Sequence, residues 1–184
     1  PCDVTRRGQI TRIIRRFSPD YVYYLSAQSS VRTSWLDPAG TIQVNLLGAL
    51  YLLEVLRKLN PKARTLFFSS GMTYGCPRNR MRRLTEEICL TANDPYSVSK
   101  TGLDLCARLY ARVYGMKVMV VRLANLTGPG QSKGFSLAHF AWQIAQMEKS
   151  ERSDHTVQVG NLSAHRDFLD VRDAVRALEQ VMKR

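Results

Sequence analysis

The alternation of two hydrophobic periodicities constrains the fold of this chain more than any other feature of its sequence. Short runs of β-branched and aromatic residues predict strands, at residues 21–25, 65–69, 117–122 and 157–159. Apolar residues with helical spacing predict helices, at residues 9–17, 38–59, 95–114, 135–148 and 170–183. The segment 77–93 is polar and basic, which predicts a loop. Strands that alternate with helices predict an α/β fold, a doubly wound parallel sheet covered on both faces.

Length and composition favour a globular chain outside the membrane. The 184 residues are 45% hydrophobic, which is enough to bury a core and argues against disorder. No apolar run approaches the ~18 residues of a membrane span, so we expect no membrane. The first residues lack the layout of a signal peptide, and there is no initiator Met.

The cysteines and histidines suggest neither a disulfide framework nor a metal site. The four cysteines form no C-x-x-C pair, so free thiols in a reducing cytoplasm are expected, at Cys2, Cys76, Cys89 and Cys106. The three histidines are scattered, which favours surface or loop positions over metal ligation, at His139, His155 and His165.

The net charge of +12 calls for an anionic partner or simply aids solubility. The basic residues are spread over several segments, including 6–16, 78–83 and 108–112, and no aromatic-rich RNA motif accompanies them. Nucleic acid is therefore disfavoured as the main partner. An anionic small substrate such as a nucleotide diphosphate remains compatible with the charge.

Tyr96 and Lys100 lie at the head of a predicted helix, and Ser69-Ser70 ends an apolar run 26 residues before Tyr96. Residues four apart share a helix face, so the phenol and the ammonium can point at the same spot. We expect the ammonium to lower the pKa of Tyr96, which would make it a general acid/base. Ser70 would hold a carbonyl or alkoxide oxygen. The trio suits hydride transfer with a nicotinamide, although an ordinary buried tyrosine remains the alternative.

Three predicted strand ends carry polar residues that would converge at one edge of the sheet. These are the segment 25–28 after the first strand, Ser69-Ser70 after the second, and Asn125 after the third. In open α/β sheets, the ligand site lies beyond the carboxyl ends of the strands. The sequence therefore predicts the site at this edge.

Motifs along almost the whole chain carry a family resemblance. They are Asp3-Val4-Thr5, the run 25–31, Val44-Asn45 with Gly48, Ser69-Ser70 with Tyr74-Gly75, Tyr96 with Lys100, Arg122 with Asn125, the run 127–131, and the pair of runs 160–162 and 166–173. In these motifs the chain resembles the extended short-chain dehydrogenase/reductase family, in its nucleotide-sugar branch.

The resemblance implies a Rossmann-like fold, with residues 1–125 as an incomplete NAD(P)-binding domain. Residues 126–184 would be part of a smaller substrate-binding region plus a closing helix. The family's opening strand and Gly-x-x-Gly-x-x-Gly turn, which cradles the cofactor pyrophosphate, do not occur in these residues. We therefore interpret the chain as an internal piece of a protein of about 300 residues. Alone, it is expected to bind dinucleotide weakly or not at all.

The resemblance also implies an activity, the reduction by NADP or NAD of the C4 keto group of GDP-4-keto-6-deoxy-D-mannose to give GDP-D-rhamnose. Tyr96 would donate the proton, Lys100 would lower the pKa of Tyr96 and bind the nicotinamide ribose, and Ser70 would orient the carbonyl. The implied cofactor contacts are Asp3, Val4, Leu25, Ser26, Ala27, Tyr96, Lys100 and Arg122. The implied substrate contacts are Gln28, Ser29, Ser30, Ser70, Asn125 and Arg166.

Some of these roles have structural alternatives. Asn125 could stabilise its loop, Arg166 could form a surface ion pair, and Asn45 is expected to brace a helix rather than bind a ligand. The family forms homodimers through two helices, and four residues of the predicted helices could serve that interface or the core: Leu50, Leu53, Leu103 and Tyr110.

Two other enzyme functions and one non-enzymatic function compete with the reductase. A 4,6-dehydratase places an acid just after the catalytic serine, where this chain has Gly71 and Met72, so dehydration is poorly supported. A nucleotide-sugar 4-epimerase uses the same trio but retains its NAD. A truncated, non-catalytic relative would act as a binding module through its basic face.

Overall fold

The computed structural model describes residues 1–75, 84–149 and 156–183. They divide into two compact units, Pro1–Leu123 and Ala124–Arg184. Cys76, the basic run 78–83, His155 and the first part of the predicted loop 77–93 lie outside the described residues.

The first unit is built on three parallel strands in the order β1-β2-β3. They are β1 (Tyr21–Tyr24), β2 (Arg64–Ser70) and β3 (Val118–Leu123). The middle strand β2 is mostly buried, whereas β3 is half-buried along its whole length. The α/β class with parallel strands is thus confirmed.

The helices of the first unit follow the predicted order with one addition. They are α1 (Arg7–Phe17), α2 (Val31–Leu36), α3 (Pro38–Ile42), α4 (Gly48–Leu59) and α5 (Pro95–Tyr114), with a π-helical segment (Gln43–Leu47) between α3 and α4. Helix α1 packs on α4, and α5 packs on β2, β3 and α4. Their shared core includes Ile10, Leu53, Leu56, Phe67 and Leu103, all essentially buried.

The second unit contains two short strands, β4 (Asn125–Thr127) and β5 (Phe168–Asp170), and two helices, α6 (Ser136–Glu148) and α7 (Val171–Lys183). The strands pair in parallel, with Asn125 opposite Phe168. The prediction of a strand at 157–159 is wrong. The backbone of Gln158 instead pairs with the side chain of Gln143, which accepts from the Gln158 N–H and donates to its carbonyl.

The run Pro38–Leu59 is long and apolar enough to cross a membrane by length and composition alone, which corrects the expectation that no segment approaches such a span. Its apolar residues have another explanation in the first unit. Six residues of α4 are buried, and the helix packs against α1 and α5. The π-helical turn inside the run interrupts the regular periodicity that predicted one unbroken helix.

Candidate active site

Helix α5 begins with a reciprocal cap that fixes the position of Tyr96. The carboxylate of Asp94 accepts from the Ser97 N–H at 2.8 Å, and the Ser97 hydroxyl oxygen accepts from the Asp94 N–H at 3.2 Å. Pro95 occupies the first turn, where its missing N–H costs nothing. Tyr96 and Lys100 therefore lie one turn apart at a well-anchored helix end, as the spacing predicted.

Lys100 is almost completely buried and is held by strand β2. The residue is 5% exposed, and its Nζ donates to the carbonyl of Phe68 at 2.8 Å. The hydroxyl of Ser69 donates to the Lys100 carbonyl at 3.3 Å. Burial lowers the pKa of Lys100 to about 8, because the charged form loses its water.

Ser70 ends β2 and faces Tyr96. Its Oγ accepts from the Met72 N–H at 3.2 Å at the start of a 3-10 turn (Gly71–Tyr74), and its side chain is near enough to Tyr96 to lower the pKa of the phenol. The trio predicted from sequence is thus brought together by α5 and the end of β2.

The expected effect on the pKa of Tyr96 is wrong for this structure. Burial raises that pKa above the ordinary value of 10, the nearby Ser70 side chain opposes the rise, and the carboxylate of Asp94 adds to it. The Lys100 ammonium donates to the Phe68 carbonyl instead, and Nζ lies 5.9 Å from the centroid of the Tyr96 ring. Desolvation of the phenolate therefore outweighs the neighbouring ammonium.

The buried Lys100 gives a testable pH dependence of stability. Between pH about 8 and 10.5 the folded chain binds fewer protons at Lys100 than the unfolded chain, so this residue makes stability rise with pH. The free energy of unfolding of Lys100→Met minus that of the wild type should fall by about 2–3 kcal/mol between pH 7 and 10.5. Urea unfolding at both pH values measures this difference. The exposed Lys58→Met is the control and should show a constant difference. A constant difference for Lys100→Met would contradict the buried charge.

The segment after β1 is exposed where a ligand was predicted, but one of its side chains is already committed. Leu25, Ser26, Ala27 and Ser29 are exposed. The Gln28 amide donates to the Ser30 carbonyl and to Thr41 Oγ1, and its Oε1 accepts from the Ser30 N–H. Both amide donors are thus used within the chain, so Gln28 shapes the loop and its predicted contact with substrate is not supported.

Ser30 has a structural role as well as the predicted one. Its Oγ accepts from the Thr33 N–H at 3.1 Å and thereby caps α2, a short helix that the sequence did not predict. A cap uses the oxygen lone pair and leaves the hydroxyl proton available.

Asn45 lies in the π-helical segment and is fully buried, and its predicted role as a brace is confirmed. Its Oδ1 accepts from the Gln28 N–H at 2.8 Å, and its Nδ2 donates to the Gln28 carbonyl and to Ser99 Oγ, both at 2.9 Å. Ser99 in turn donates to the Tyr96 carbonyl at 2.7 Å. Asn45 therefore connects the loop after β1 to the first turn of α5.

Asp3 and Val4 lie at the start of the first unit. Asp3 Oδ1 accepts from the N–H and hydroxyl of Thr5, which lowers the pKa of this exposed carboxyl, and Arg6 lies 3.4 Å from Oδ2. Val4 packs against the core beside Gly48, where an added Cβ would lie 3.0 Å from Val4 Cγ2. Asp3 thus forms a turn while its other oxygen faces solvent.

The predicted cofactor contact of Arg122 is not supported by its surroundings. Its Nε and Nη2 donate to the two oxygens of Asp104 at 2.7 and 3.2 Å. Its Nη1 donates to the Tyr74 hydroxyl at 3.0 Å and to the Glu86 carbonyl at 3.1 Å. The side chain is 9% exposed, so its guanidinium serves the interior of the chain.

Asn125 and Arg166 both belong to the second unit. The Asn125 side chain and backbone N–H each donate to the Asp167 carbonyl at 3.1 Å, which favours the loop-stabilising role for its amide. Arg166 is exposed, and within the described residues it forms no ion pair, so the alternative of a surface salt bridge is not supported.

The sequence did not predict an open hollow on the second unit. It lies between the start of α6 and the segment 158–160, and Lys133, Phe135, His139 and Phe140 contribute to its lining. Beside it, His139 stacks on Trp142 with ring centroids 5.8 Å apart, and Lys133 Nζ lies 4.6 Å from the Trp142 centroid. The hollow combines aromatic surfaces with a cation.

Among the described residues, no group of three or more His, Cys, Asp or Glu could hold a metal ion.

Comparison with known proteins identifies the family. The family model described as GDP-mannose 4,6 dehydratase matches residues 1–184. The chain is 36% identical over 159 residues to the GDP-6-deoxy-D-mannose reductase of Pseudomonas aeruginosa, covering 86% of the chain and 52% of that relative. The chain therefore belongs to the GDP-mannose 4,6-dehydratase family, in the nucleotide-sugar branch of the extended short-chain dehydrogenases/reductases, as the motifs indicated.

Solved structures agree with this assignment. RMD from Pseudomonas aeruginosa complexed with NADPH superposes with a TM-score of 0.92 at 32% identity, covering all of this chain and 61% of that one. The UDP-glucose 4-epimerase of Thermus thermophilus in complex with NAD gives a TM-score of 0.85 at 27% identity, covering 98% and 58%. The chain spans about half of the length of the curated relatives it matches.

Proposed function

We propose that the protein is an NAD(P)-dependent reductase that converts the C4 keto group of GDP-4-keto-6-deoxy-D-mannose to the alcohol of GDP-D-rhamnose. The observation that carries the proposal is the buried Lys100, which shares a face of α5 with Tyr96 and is held by β2, the strand that ends at Ser70. When bound, NADPH or NADH supplies the hydride that becomes the hydrogen at the sugar C4. The similarity to a GDP-6-deoxy-D-mannose reductase supports the choice of substrate.

The residues of the first unit fit a nicotinamide cofactor. The Lys100 ammonium has three N–H donors and gives one to Phe68, so two remain for ribose hydroxyls. The exposed Leu25, Ser26 and Ala27 lie beyond the carboxyl end of β1, where α/β sheets bind dinucleotides. Asp3 Oδ2, which pairs with the exposed Arg6 at 3.4 Å, is half-exposed and is the proposed contact for a polar edge of the adenosine.

Ser70 and Tyr96 share the proton chemistry. The Ser70 hydroxyl donates to the substrate C4 oxygen, and Tyr96 transfers its phenolic proton to that oxygen as negative charge develops. The raised pKa of Tyr96 keeps the phenol protonated at neutral pH, as a proton donor requires. Lys100, with a pKa of about 8, remains mostly cationic and stabilises the phenolate that is left.

The turn after Ser70 favours reduction over dehydration. Expelling water from the sugar needs a proton-transferring group, and the turn Gly71–Tyr74 contains no carboxylic acid. Met72, which is 39% exposed, occupies one of the two positions where an acid would stand.

Activity assays with three candidate substrates, each offered separately to the protein expressed from its complete gene, test the proposed function. We expect stoichiometric oxidation of NADPH or NADH with GDP-4-keto-6-deoxy-D-mannose and no conversion of GDP-mannose. Turnover of GDP-mannose would indicate a dehydratase, and C4 inversion of a nucleotide sugar without net cofactor consumption would indicate an epimerase. Inactivity with all three would favour the non-catalytic binding module.

The nucleotide part of the substrate is proposed to bind the second unit, with Arg166 and the free Oδ1 of Asn125 on its phosphates or sugar. The hollow beside α6 supports this because aromatic rings and Lys133 suit a base and its phosphates. In Trp35→Phe, Trp142 is the only tryptophan of the 184 residues, and GDP should change its fluorescence in a saturable way. In Trp142→Phe the signal should stay flat. An unresponsive Trp142 would contradict the assignment.

A homodimer is proposed as the assembly, and for two of the four residues that could serve its interface or the core, burial favours the core. Leu53 and Leu103 are 0% and 1% exposed and belong to the core, and the Tyr110 hydroxyl donates to Glu54. Leu50 stays half-buried. The exposed stripe of α5 is a better candidate for the interface: Val98, Leu105, Leu109 and Val113. Leu109→Asp should convert a dimer to a monomer in sedimentation equilibrium, whereas Arg12→Asp, a charge reversal at an exposed position of α1, should not.

The cytoplasm is the proposed location. The described cysteines Cys2, Cys89 and Cys106 are free thiols, the state that a reducing compartment maintains. A thiol reagent that does not cross membranes checks this. It should label the protein only after the cells are lysed, and labelling in intact cells would place the protein outside the cytoplasm.

A further inference from the structure

The arginine cluster consists of the buried side chains of Arg122, Asp104 and Tyr74 and the carbonyl of the exposed Glu86, and it lies next to the candidate trio. Asp104 follows Tyr96 and Lys100 at the same four-residue spacing, so the three share one face of α5. Its side chain is 1% exposed. Arg122 lies opposite Ser69 in the register of β2 and β3, one position from Ser70.

One guanidinium thus contacts three parts of the chain near Ser70 and Tyr96. Arg122 belongs to β3, binds α5 through both oxygens of Asp104, and binds the end of the turn after Ser70 through the Tyr74 hydroxyl. It also reaches the segment that leads into α5 through the Glu86 carbonyl. The Tyr74 ring adds a cation–π contact, with its centroid 5.1 Å from the Arg122 carbon Cζ.

The chemistry of the cluster favours a single geometry. A bidentate guanidinium–carboxylate pair fixes both distance and direction, which a point charge does not. Because both charges are buried, a shift of α5 along the sheet would leave one of them without its partner, at a large energetic cost. Between Ser70 and Tyr96, Arg122 also contacts the chain at two points, the Tyr74 hydroxyl and the Glu86 carbonyl.

We propose that Arg122, held by Asp104, is a positioning residue that sets the distance between Ser70 and Tyr96 by fixing α5 and the turn after Ser70 to the same guanidinium. This inference rests on the proposed function, because its readout is the rate of the reduction. It replaces the cofactor contact expected of Arg122 from the sequence.

Two substitutions test the arginine cluster, one that removes a single contact of Arg122 and one that replaces the guanidinium itself. Tyr74→Phe removes one acceptor of Arg122 and retains the ring, and kcat should fall about 5- to 20-fold with KM within about twofold. Arg122→Lys retains the charge and loses the fork geometry, and kcat should fall about 100-fold. Both rates are taken per folded protein, at a temperature well below the midpoint of thermal unfolding.

Arg108→Gln is the matched control. Arg108 contacts the same Asp104 carboxylate at 2.8 Å but from the exposed side, so its loss should leave kcat unchanged. If Tyr74→Phe lowers only the unfolding temperature and retains kcat while Tyr96→Phe abolishes turnover, the positioning role is overturned. This result decides the question even if Arg122→Lys fails to fold. If Tyr96→Phe retains turnover as well, the proposed function itself fails.

Discussion

Replacing Tyr96 by phenylalanine is expected to lower kcat by about 10²- to 10⁴-fold, the usual contribution of a positioned general acid. The substitution removes one hydroxyl, which interacts with the Ser70 side chain and would protonate the substrate oxygen. The ring stays in place, so packing against Lys100 is retained. The measurement is steady-state reduction by the protein expressed from its complete gene, with cofactor affinity determined separately by fluorescence titration.

Cofactor affinity is the internal check on this prediction. Because the phenol acts on the substrate oxygen, the dissociation constant of the cofactor should stay within about threefold of the wild-type value. Tyr114→Phe is the control, since Tyr114 lies at the other end of α5 and is 50% exposed. Equal activity of Tyr96→Phe and Tyr114→Phe would remove Tyr96 from the mechanism.

Replacing Gly75 by alanine is expected to lower the free energy of unfolding by about 3 kcal/mol. Gly75 has φ 65° and ψ −143°, a conformation that is nearly restricted to glycine. An added Cβ would lie 2.0 Å from the backbone oxygen of Thr91. That oxygen cannot move freely, because Thr91 donates through its N–H to Thr73 and through its hydroxyl to the Tyr74 carbonyl.

Urea unfolding of three proteins measures this effect. Gly8→Ala is the control, because Gly8 is helical and an added Cβ would meet nothing within 4 Å. The free energy of unfolding of Gly8→Ala should equal that of the wild type or exceed it by at most about 1 kcal/mol. The account of the turn is wrong if Gly75→Ala is as stable as Gly8→Ala.

The features predicted from sequence are those that local patterns determine. Helix α5 has the predicted bounds because Asp94, Pro95 and Gly115 mark both of its ends within a few residues. The parallel sheet and the Ser70, Tyr96 and Lys100 trio follow from periodicity and the placement of polar residues at strand ends. The short helix α2 was missed, because six residues are too few to show a helical period.

The features that sequence did not predict depend on contacts between distant residues. The partner of Arg122 is 18 residues away on α5, and its other contacts come from Tyr74 and Glu86. Gln28 is committed to Ser30 and Thr41, which a motif cannot reveal. The pKa of Tyr96 depends on burial and on where the Lys100 ammonium points, and the spacing of the two residues fixes neither.

Isotope tracing tests the central claim most directly. The protein expressed from its complete gene would be incubated with GDP-4-keto-6-deoxy-D-mannose and nicotinamide cofactor carrying deuterium at its transferable C4 position. The account predicts one deuterium at C4 of the product sugar for each cofactor oxidised, and loss of this transfer in Tyr96→Phe. A product without deuterium, or deuterium transfer that persists in Tyr96→Phe at the wild-type rate, would contradict it.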